Sequence, residues 1–82
     1  MDKEEIFERL NGVFKSVFEN ENLVLSEDLS PDNVENWDSL TQMMLIEGIE
    51  AEFGFRFKLS DLKNLNNVKN IIKTITSYRT ED

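Results

Sequence analysis

The chain has 82 residues, a net charge of −8, and neither cysteine nor histidine. A chain of this length supports one domain with a modest core, so we expect residues 1–82 to form a single domain. The missing residue types exclude a disulfide framework, thiolate metal sites and the commonest general base. The composition therefore favours a binding or carrying domain over an enzyme.

The acidic residues are concentrated in the first half of the chain. Residues 1–40 contain eleven acids against three bases, whereas residues 41–82 contain six of each. This excess disfavours nucleic acid as a partner and suits partners with basic patches, although it could also serve solubility alone. The longest apolar run, residues 43–46, cannot span a membrane, and residues 1–5 lack the order of a signal peptide. We therefore expect a cytoplasmic protein without membrane insertion.

The first helix is predicted for residues 2–18, followed by a long loop over residues 19–37. Asp2 and Glu5 resemble a capping pair at the helix start, and the loop is rich in Asn, Ser and Asp. In the loop, Ser30 and Pro31 can open one short turn. The apolar face of the helix consists of Ile6, Leu10, Val13, Phe14 and Val17. The loop residues expected to pin it to the core are Leu23, Val24, Leu25, Leu29, Val34 and Trp37.

The second helix is predicted for residues 39–53, with Gly54 as its stop. Residues 55–59 alternate apolar and basic side chains, but no second strand is available to pair with them. We therefore interpret them as an extended connector that buries Phe55, Phe57 or both. The buried stripe of the second helix is Leu45, Ile46, Ile49 and Phe53.

A short third helix is expected to begin at Ser60, and a fourth helix is expected over residues 67–78 with Asn67 as its cap. Residues 80–82 are expected to fray. The apolar face of the fourth helix is Val68, Ile71, Ile72 and Ile75. The predicted fold class is all-α: a small bundle of three main helices plus one short helix, with a long loop between helices 1 and 2.

The segment with a chemical signature is Asp38-Ser39-Leu40, directly before the second helix. In one interpretation Ser39 is the N-cap, and Gln42 completes a Ser-x-x-Gln capping box. In the other, Asp38 is the cap and Ser39 is the first helical residue, with its hydroxyl free. A phosphate joined to that hydroxyl would lie beside unpaired backbone N–H groups at the positive end of the helix dipole. The local residues alone leave both interpretations open.

The wider pattern resembles the acyl carrier protein family, including its peptidyl and D-alanyl carriers. Asp38-Ser39-Leu40 matches the family motif at the start of the second helix, and Glu50 falls on an acidic family position. The matching apolar positions are Leu45, Ile46, Ile49, Phe53, Phe57, Leu62, Leu65, Val68, Ile71, Ile72 and Ile75. The resemblance covers essentially the whole chain and is strongest over residues 34–75.

The resemblance implies a carrier that holds acyl or aminoacyl groups as thioesters on a 4′-phosphopantetheine arm. A phosphopantetheinyl transferase would move the arm from coenzyme A onto Ser39, with Asp38 and Leu40 beside it. Further partners would be enzymes that load and process the acyl or aminoacyl group, and the family implies a monomer. The carrier performs no catalysis, because the reactive thiol belongs to the cofactor. Fatty-acid, polyketide, peptide and cell-surface pathways all remain open.

Two departures from the fatty-acid carriers suggest a specialised partner. Trp37 replaces the usual Gly, and we expect it to plug the core beneath the loop. Thr41 replaces a common acid on the recognition helix. The surface expected to contact partners consists of Leu40, Met44, Glu47, Glu50 and Ala51. Met44 and Ala51 stand where fatty-acid carriers have acids, so we hypothesise docking to a dedicated partner through Leu40, Met44 and Glu47, with Met44 as an adaptable contact. The alternative is that Met44 is a single exposed apolar residue without a role.

Three other functions are alternatives to that of a carrier. A calcium-binding loop would use Asp28, Ser30 and Asp32, but its sixth position is Asn33 instead of Gly, and its twelfth is not Glu. A non-catalytic acidic helical interaction module would use Ser39 only as a helix cap. An enzyme could use the paired acids Glu47 and Glu50, but paired acids on a helix are usually solvated charges.

Overall fold

Four α-helices make up the regular structure of residues 2–79, the part of the chain that this computed structural model describes (for Arg79, the backbone alone). They are α1 (Lys3–Phe18), α2 (Ser39–Phe53), α3 (Leu59–Leu62) and α4 (Val68–Arg79). Within that part of the chain there is no strand, and the predicted all-α class is confirmed. The predicted bounds of α2 are those observed. The predicted ends of α1 and α4, and the predicted start of α3, lie within one residue of the observed ones. The predicted fraying of residues 80–82 lies outside the described residues.

The helix ends follow the predicted capping chemistry. The Glu5 amide donates to Asp2 Oδ1 at 2.8 Å, so Asp2 caps α1 as expected. The Asn70 amide donates to Asn67 Oδ1 at 2.8 Å, which confirms the cap of α4. Gly54 ends α2 with a left-handed φ of 73°, a conformation that glycine adopts without steric cost.

The core is formed by the apolar stripes of the three long helices, closed by side chains from the loops. Within residues 2–78 no polar or charged residue is buried. Val17 and Ile46, both predicted to be buried, are half-buried at its margin. The buried residues are Ile6, Leu10, Val13, Phe14, Leu25, Trp37, Leu45, Ile49, Phe53, Phe57, Leu65, Val68, Ile71, Ile72 and Ile75.

The long loop, residues 19–38, is fixed to the bundle at several points. Leu25 and Trp37 are buried, and the Val68 amide at the start of α4 donates to the Leu29 carbonyl at 3.0 Å. Leu23, Leu29 and Val34 pack against the core from its margin, as predicted. The prediction for Val24 is wrong, because its side chain is 79% exposed between two neighbours that turn inward.

The connector after α2 is extended, as predicted, and it is held by the end of α4. Phe57 is buried and Phe55 is half-buried, with the Tyr78 ring stacked on Phe55 at a centroid distance of 4.5 Å. The Tyr78 hydroxyl donates to Asp61 Oδ2 at 2.5 Å and accepts from the Lys58 amide at 2.8 Å. The bond to the Asp61 carboxylate raises the pKa of Tyr78, because the carboxylate stabilises the protonated phenol. We call this arrangement the Tyr78 clasp.

Helices α1 and α2 approach closely where Gly48 faces Val13. A Cβ atom added to Gly48 would lie 2.9 Å from Val13 Cγ1, well inside van der Waals contact. One turn further along α2, Arg9 Nε bonds Glu52 Oε2 at 2.7 Å, and the guanidinium lies 5.1 Å from the centre of the Phe53 ring. The glycine therefore sets how near the two helices can come.

Two glycine substitutions test this close approach. We expect Gly12→Ala to stabilise the fold by about 0.5–1 kcal/mol through helix propensity, since its added Cβ meets no atom within 4 Å. We expect Gly48→Ala to destabilise it by about 1 kcal/mol, because overpacking against Val13 outweighs the same propensity gain. Urea unfolding measures both free energies. In a Val13→Ala background Gly48→Ala should become stabilising, and equal stabilisation by both substitutions in the natural chain would contradict the explanation.

Candidate functional site

The start of α2 is defined by Asp38 and not by Ser39. Asp38 Oδ1 accepts from the amides of Leu40 at 3.0 Å and Thr41 at 3.1 Å. In return the Asp38 amide donates to Thr41 Oγ1 at 2.8 Å, which completes a reciprocal capping box. The interpretation of Ser39 as the cap, with Gln42 as its box partner, is therefore wrong. Asp38 has extended backbone that aims its carboxylate at the first turn, whereas Ser39 already lies in the helix.

Ser39 presents an exposed side chain with no internal partner. Neither its hydroxyl nor its amide makes a hydrogen bond to any residue in the range 2–79. The expected row of unpaired N–H groups beside it is absent, since Asp38 accepts from the amides of Leu40, Thr41 and Gln42. The hydroxyl is thus available for a covalent bond, but the first turn offers a bound phosphate only the Ser39 amide and the helix dipole.

A left-handed residue precedes the cap and shapes its approach. Asn36 has a φ of 69°, a conformation that asparagine tolerates better than most residues. Its carbonyl accepts from Thr41 Oγ1 at 2.7 Å and from the Asp38 amide at 3.1 Å. Thr41 therefore bonds both Asn36 and Asp38, a role that the sequence analysis missed. The signal was available, because Thr41 is the third residue after an aspartate cap.

Behind the site, Trp37 fills the core as predicted. Its ring packs edge-on against Phe14 at a centroid distance of 5.4 Å and lies 6.0 Å from Phe18. The indole Nε1 donates to Gln42 Oε1 at 2.6 Å, and Gln42 Nε2 donates to the Leu65 carbonyl at 2.6 Å. This use of Gln42 was not among the predictions from the sequence. A buried Trp requires a partner for its N–H, which was the one available signal.

The surface predicted to contact partners lies on the outer side of α2, with one residue partly engaged. Leu40 is 68% exposed and Met44 is 44% exposed. Met43, which was not predicted, is 61% exposed beside them. Glu50 is half-buried, and its Oε2 accepts from the Phe57 amide at 2.9 Å, so it also holds the connector. The other predicted members, Glu47 and Ala51, are exposed.

The segment considered for calcium folds as a turn held by Asn33. Asn33 Oδ1 accepts from the Ser30 amide at 2.8 Å, and Nδ2 donates to the Asp28 carbonyl at 3.1 Å. The Ser30 hydroxyl accepts from the Asp32 amide, as in a hydroxyl-capped turn. Over the described range, no three side chains among His, Cys, Asp and Glu form a group that could hold a metal ion.

Among the described helices, none has the length and apolarity to cross a membrane.

The Asp38 cap makes stability depend on pH in a predictable direction. The hydrogen bond from the Thr41 amide, with smaller help from the Leu40 amide, lowers the pKa of Asp38 below its ordinary value. A lowered pKa gives a stabilisation that is present at neutral pH and lost as the pH falls through the folded-state pKa.

We therefore expect the wild type to melt above an Asp38→Asn variant at pH 7, because Asn keeps the acceptor but loses the charge. The difference in melting temperature between the two proteins should disappear as the pH falls below about 4, the ordinary pKa of aspartate. Thermal melts of both proteins across that range measure it. A gap that stays constant with pH would contradict the assigned cause.

Comparison with known proteins identifies the family. The family model described as phosphopantetheine attachment site matches residues 8–75. The acyl carrier protein of Coprothermobacter proteolyticus is 33% identical over 79 residues, which is 94% of either chain. The NMR structure of the holo acyl carrier protein from Geobacter metallireducens matches with a TM-score of 0.80 and 29% identity, over 88% of this chain and 83% of that one. The chain therefore belongs to the phosphopantetheine attachment family, together with these acyl carrier proteins, and it is a carrier that bears phosphopantetheine and not an enzyme.

Proposed function

We propose that Ser39 is the residue that receives phosphopantetheine from coenzyme A, through a phosphopantetheinyl transferase. The observation that supports this assignment is the exposed hydroxyl of Ser39, which has no hydrogen-bond partner in the described chain. In the transfer, Ser39 Oγ forms the new O–P bond to the phosphopantetheine phosphate while the P–O bond within the pyrophosphate of coenzyme A breaks and adenosine 3′,5′-bisphosphate leaves. The hydroxyl proton goes to a base on the transferase, because no titratable side chain among the described residues hydrogen-bonds Ser39.

The residues next to Ser39 help to present its hydroxyl to the transferase. Asp38 fixes the first turn of α2, and so directs the Ser39 hydroxyl outward to the transferase. Leu40 adds an exposed apolar contact next to the attachment point. The bound arm supplies the thiol that holds an acyl or aminoacyl group as a thioester. The chain itself then has to hold the site rigidly and display it to each enzyme in turn.

The attachment is tested by incubating the protein with coenzyme A and a broad-specificity phosphopantetheinyl transferase, followed by intact mass measurement. We expect the wild type to gain one arm and Ser39→Ala to gain none, because no other hydroxyl replaces it. Ser60→Ala is the matched control, since Ser60 is also an exposed serine near a helix start, and it should gain the arm normally. An arm on Ser39→Ala would contradict the assignment. No arm on the wild type with several transferases would favour a plain interaction module.

We further propose that partners dock on the outer side of α2, through Leu40, Met44 and Glu47, with Glu50 and Ala51 at its far end. Leu40, Met43 and Met44 are neighbours at helical spacing, so they form one exposed apolar surface close to Ser39. Methionine side chains adapt to a partner's shape. The acids of residues 1–40 would speed association with enzymes that present basic patches. This mixture of apolar and acidic contacts suits a dedicated enzyme of a specialised pathway.

Met44→Glu tests the docking surface. We expect it to raise the KM of the transferase for the carrier by about tenfold, because a charge replaces an apolar contact at the interface centre. Ser16→Glu is the matched control, since it adds the same charge at an exposed position of α1. Steady-state kinetics on both variants provide the comparison. Equal KM values for the two variants and the wild type would refute docking through Met44.

The proposed function also includes the domain organisation, the oligomeric state and the location of the protein. Residues 1–82 act as one domain, and the net charge of −8 favours a monomer because copies repel one another. The same charge opposes binding to nucleic acid. We propose a cytoplasmic location, where coenzyme A and the loading and processing enzymes are available.

A further inference from the structure

The side chain of Gln42 links two segments that are distant in the sequence. Its Oε1 accepts from Trp37 Nε1 at 2.6 Å, and its Nε2 donates to the Leu65 carbonyl at 2.6 Å. Both bonds are partly buried, so neither is fully exchanged for bonds to water. We call this pair of bonds the Gln42 bridge.

Each end of the bridge is anchored in the core. Trp37 lies two residues before Ser39 and packs on Phe14 and Phe18 of α1. Leu65 is buried in the link between α3 and α4. The bridge therefore connects the approach to Ser39 with α2 and with the link between α3 and α4, while the Trp37 ring connects it with α1.

The other bonds of this approach are local. In the described chain, the hydrogen bonds of Asn36 and Asp38 all join residues at most five positions away. These bonds, and the Trp37–Gln42 bond, which also spans five positions, shape the turn. The bond from Gln42 to Leu65 spans 23 positions, and with the packing of the Trp37 ring it ties this turn to the bundle, adding to the anchors of the preceding loop at Val34 and Leu29.

We propose that Gln42 is a positioning residue for phosphopantetheine attachment, an inference that rests on the proposed role of Ser39. The bridge keeps residues 36–38 in the arrangement that presents Ser39 at the first turn of α2. Without it, a smaller fraction of molecules has the site in the form that the transferase binds. A reduced competent fraction weakens apparent binding and leaves the step after binding unchanged. The KM for the carrier therefore rises while kcat stays the same.

Glutamine suits this position because its amide carries both an acceptor and a donor. Gln42→Met keeps a similar length and removes both bonds. Trp37→Phe keeps an aromatic ring in the core and removes the indole donor. If both residues act through the same bridge, the effects of the two substitutions overlap instead of adding.

The experiment measures phosphopantetheine transfer to the wild type, Gln42→Met, Trp37→Phe and the double variant. We expect Gln42→Met to raise KM about tenfold with kcat within about twofold of the wild type, since two partly buried hydrogen bonds are lost. The double variant should have a KM close to that of the more affected single variant. Tyr78→Phe is the control for general destabilisation, because it breaks the Tyr78 clasp at the other end of the bundle. Its KM should equal that of the wild type.

Acrylamide quenching of Trp37, the only tryptophan, gives a readout that needs no transferase. Gln42→Met should increase the quenching, whereas Tyr78→Phe should not. An unchanged KM for Gln42→Met, or equal KM changes in Gln42→Met and Tyr78→Phe, would overturn the positioning role alone. Failure of the wild type to accept any arm would overturn the proposed function and this role together, so the two failures are distinguishable.

Discussion

The carboxylate of Asp38 determines where α2 begins, and the arrangement of the site follows from that choice. By capping the amides of Leu40 and Thr41, it makes Ser39 the first helical residue and leaves the serine hydroxyl without a bond. A cap at Ser39 would instead use this hydroxyl for the helix. The apolar pattern of α2 places Leu45 and Ile49 in the core, while Leu40 and Met44 stay exposed on the outer side. The cap and the apolar pattern together leave Ser39, Leu40 and Met44 accessible on one helix.

The apolar core holds the bundle together, but polar bonds at its margin fix α2 in place. Its first turns are held through Gln42, which reaches Trp37 and Leu65. Its last turns are held through Glu52, which binds Arg9, and through Glu50, which binds the connector. Burial of the apolar core is a non-directional contribution to the position of α2. Directional bonds near both ends of α2 add specific contacts that hold the helix, and Ser39 at its start, in one position on the bundle.

The sequence predicted the helices well because each carries a strong local signal, such as the apolar period of α1 or the Gly54 stop of α2. It left the cap of α2 undecided, since Asp38 and Ser39 are both good caps and each is followed three residues later by a suitable partner. The prediction failed for Val24, whose exposure depends on how the loop crosses the bundle. The Gln42 bridge could not be predicted, because Leu65 lies 23 positions away and its carbonyl leaves no mark in the sequence.

The cap also determines how a phosphate on Ser39, as proposed, would interact with the start of α2. An uncapped helix start offers several amides to an anion. Here Asp38 already occupies the Leu40 and Thr41 amides, and its carboxylate, whose pKa these bonds lower, carries a negative charge beside Ser39 at neutral pH. A phosphodiester on Ser39 would gain few hydrogen bonds and would face a like charge. The proposed attachment therefore relies on the covalent bond, and the arm has little reason to fold back on its own helix. That is what a carrier needs, because a strongly held arm would have to be released before each enzyme could receive it.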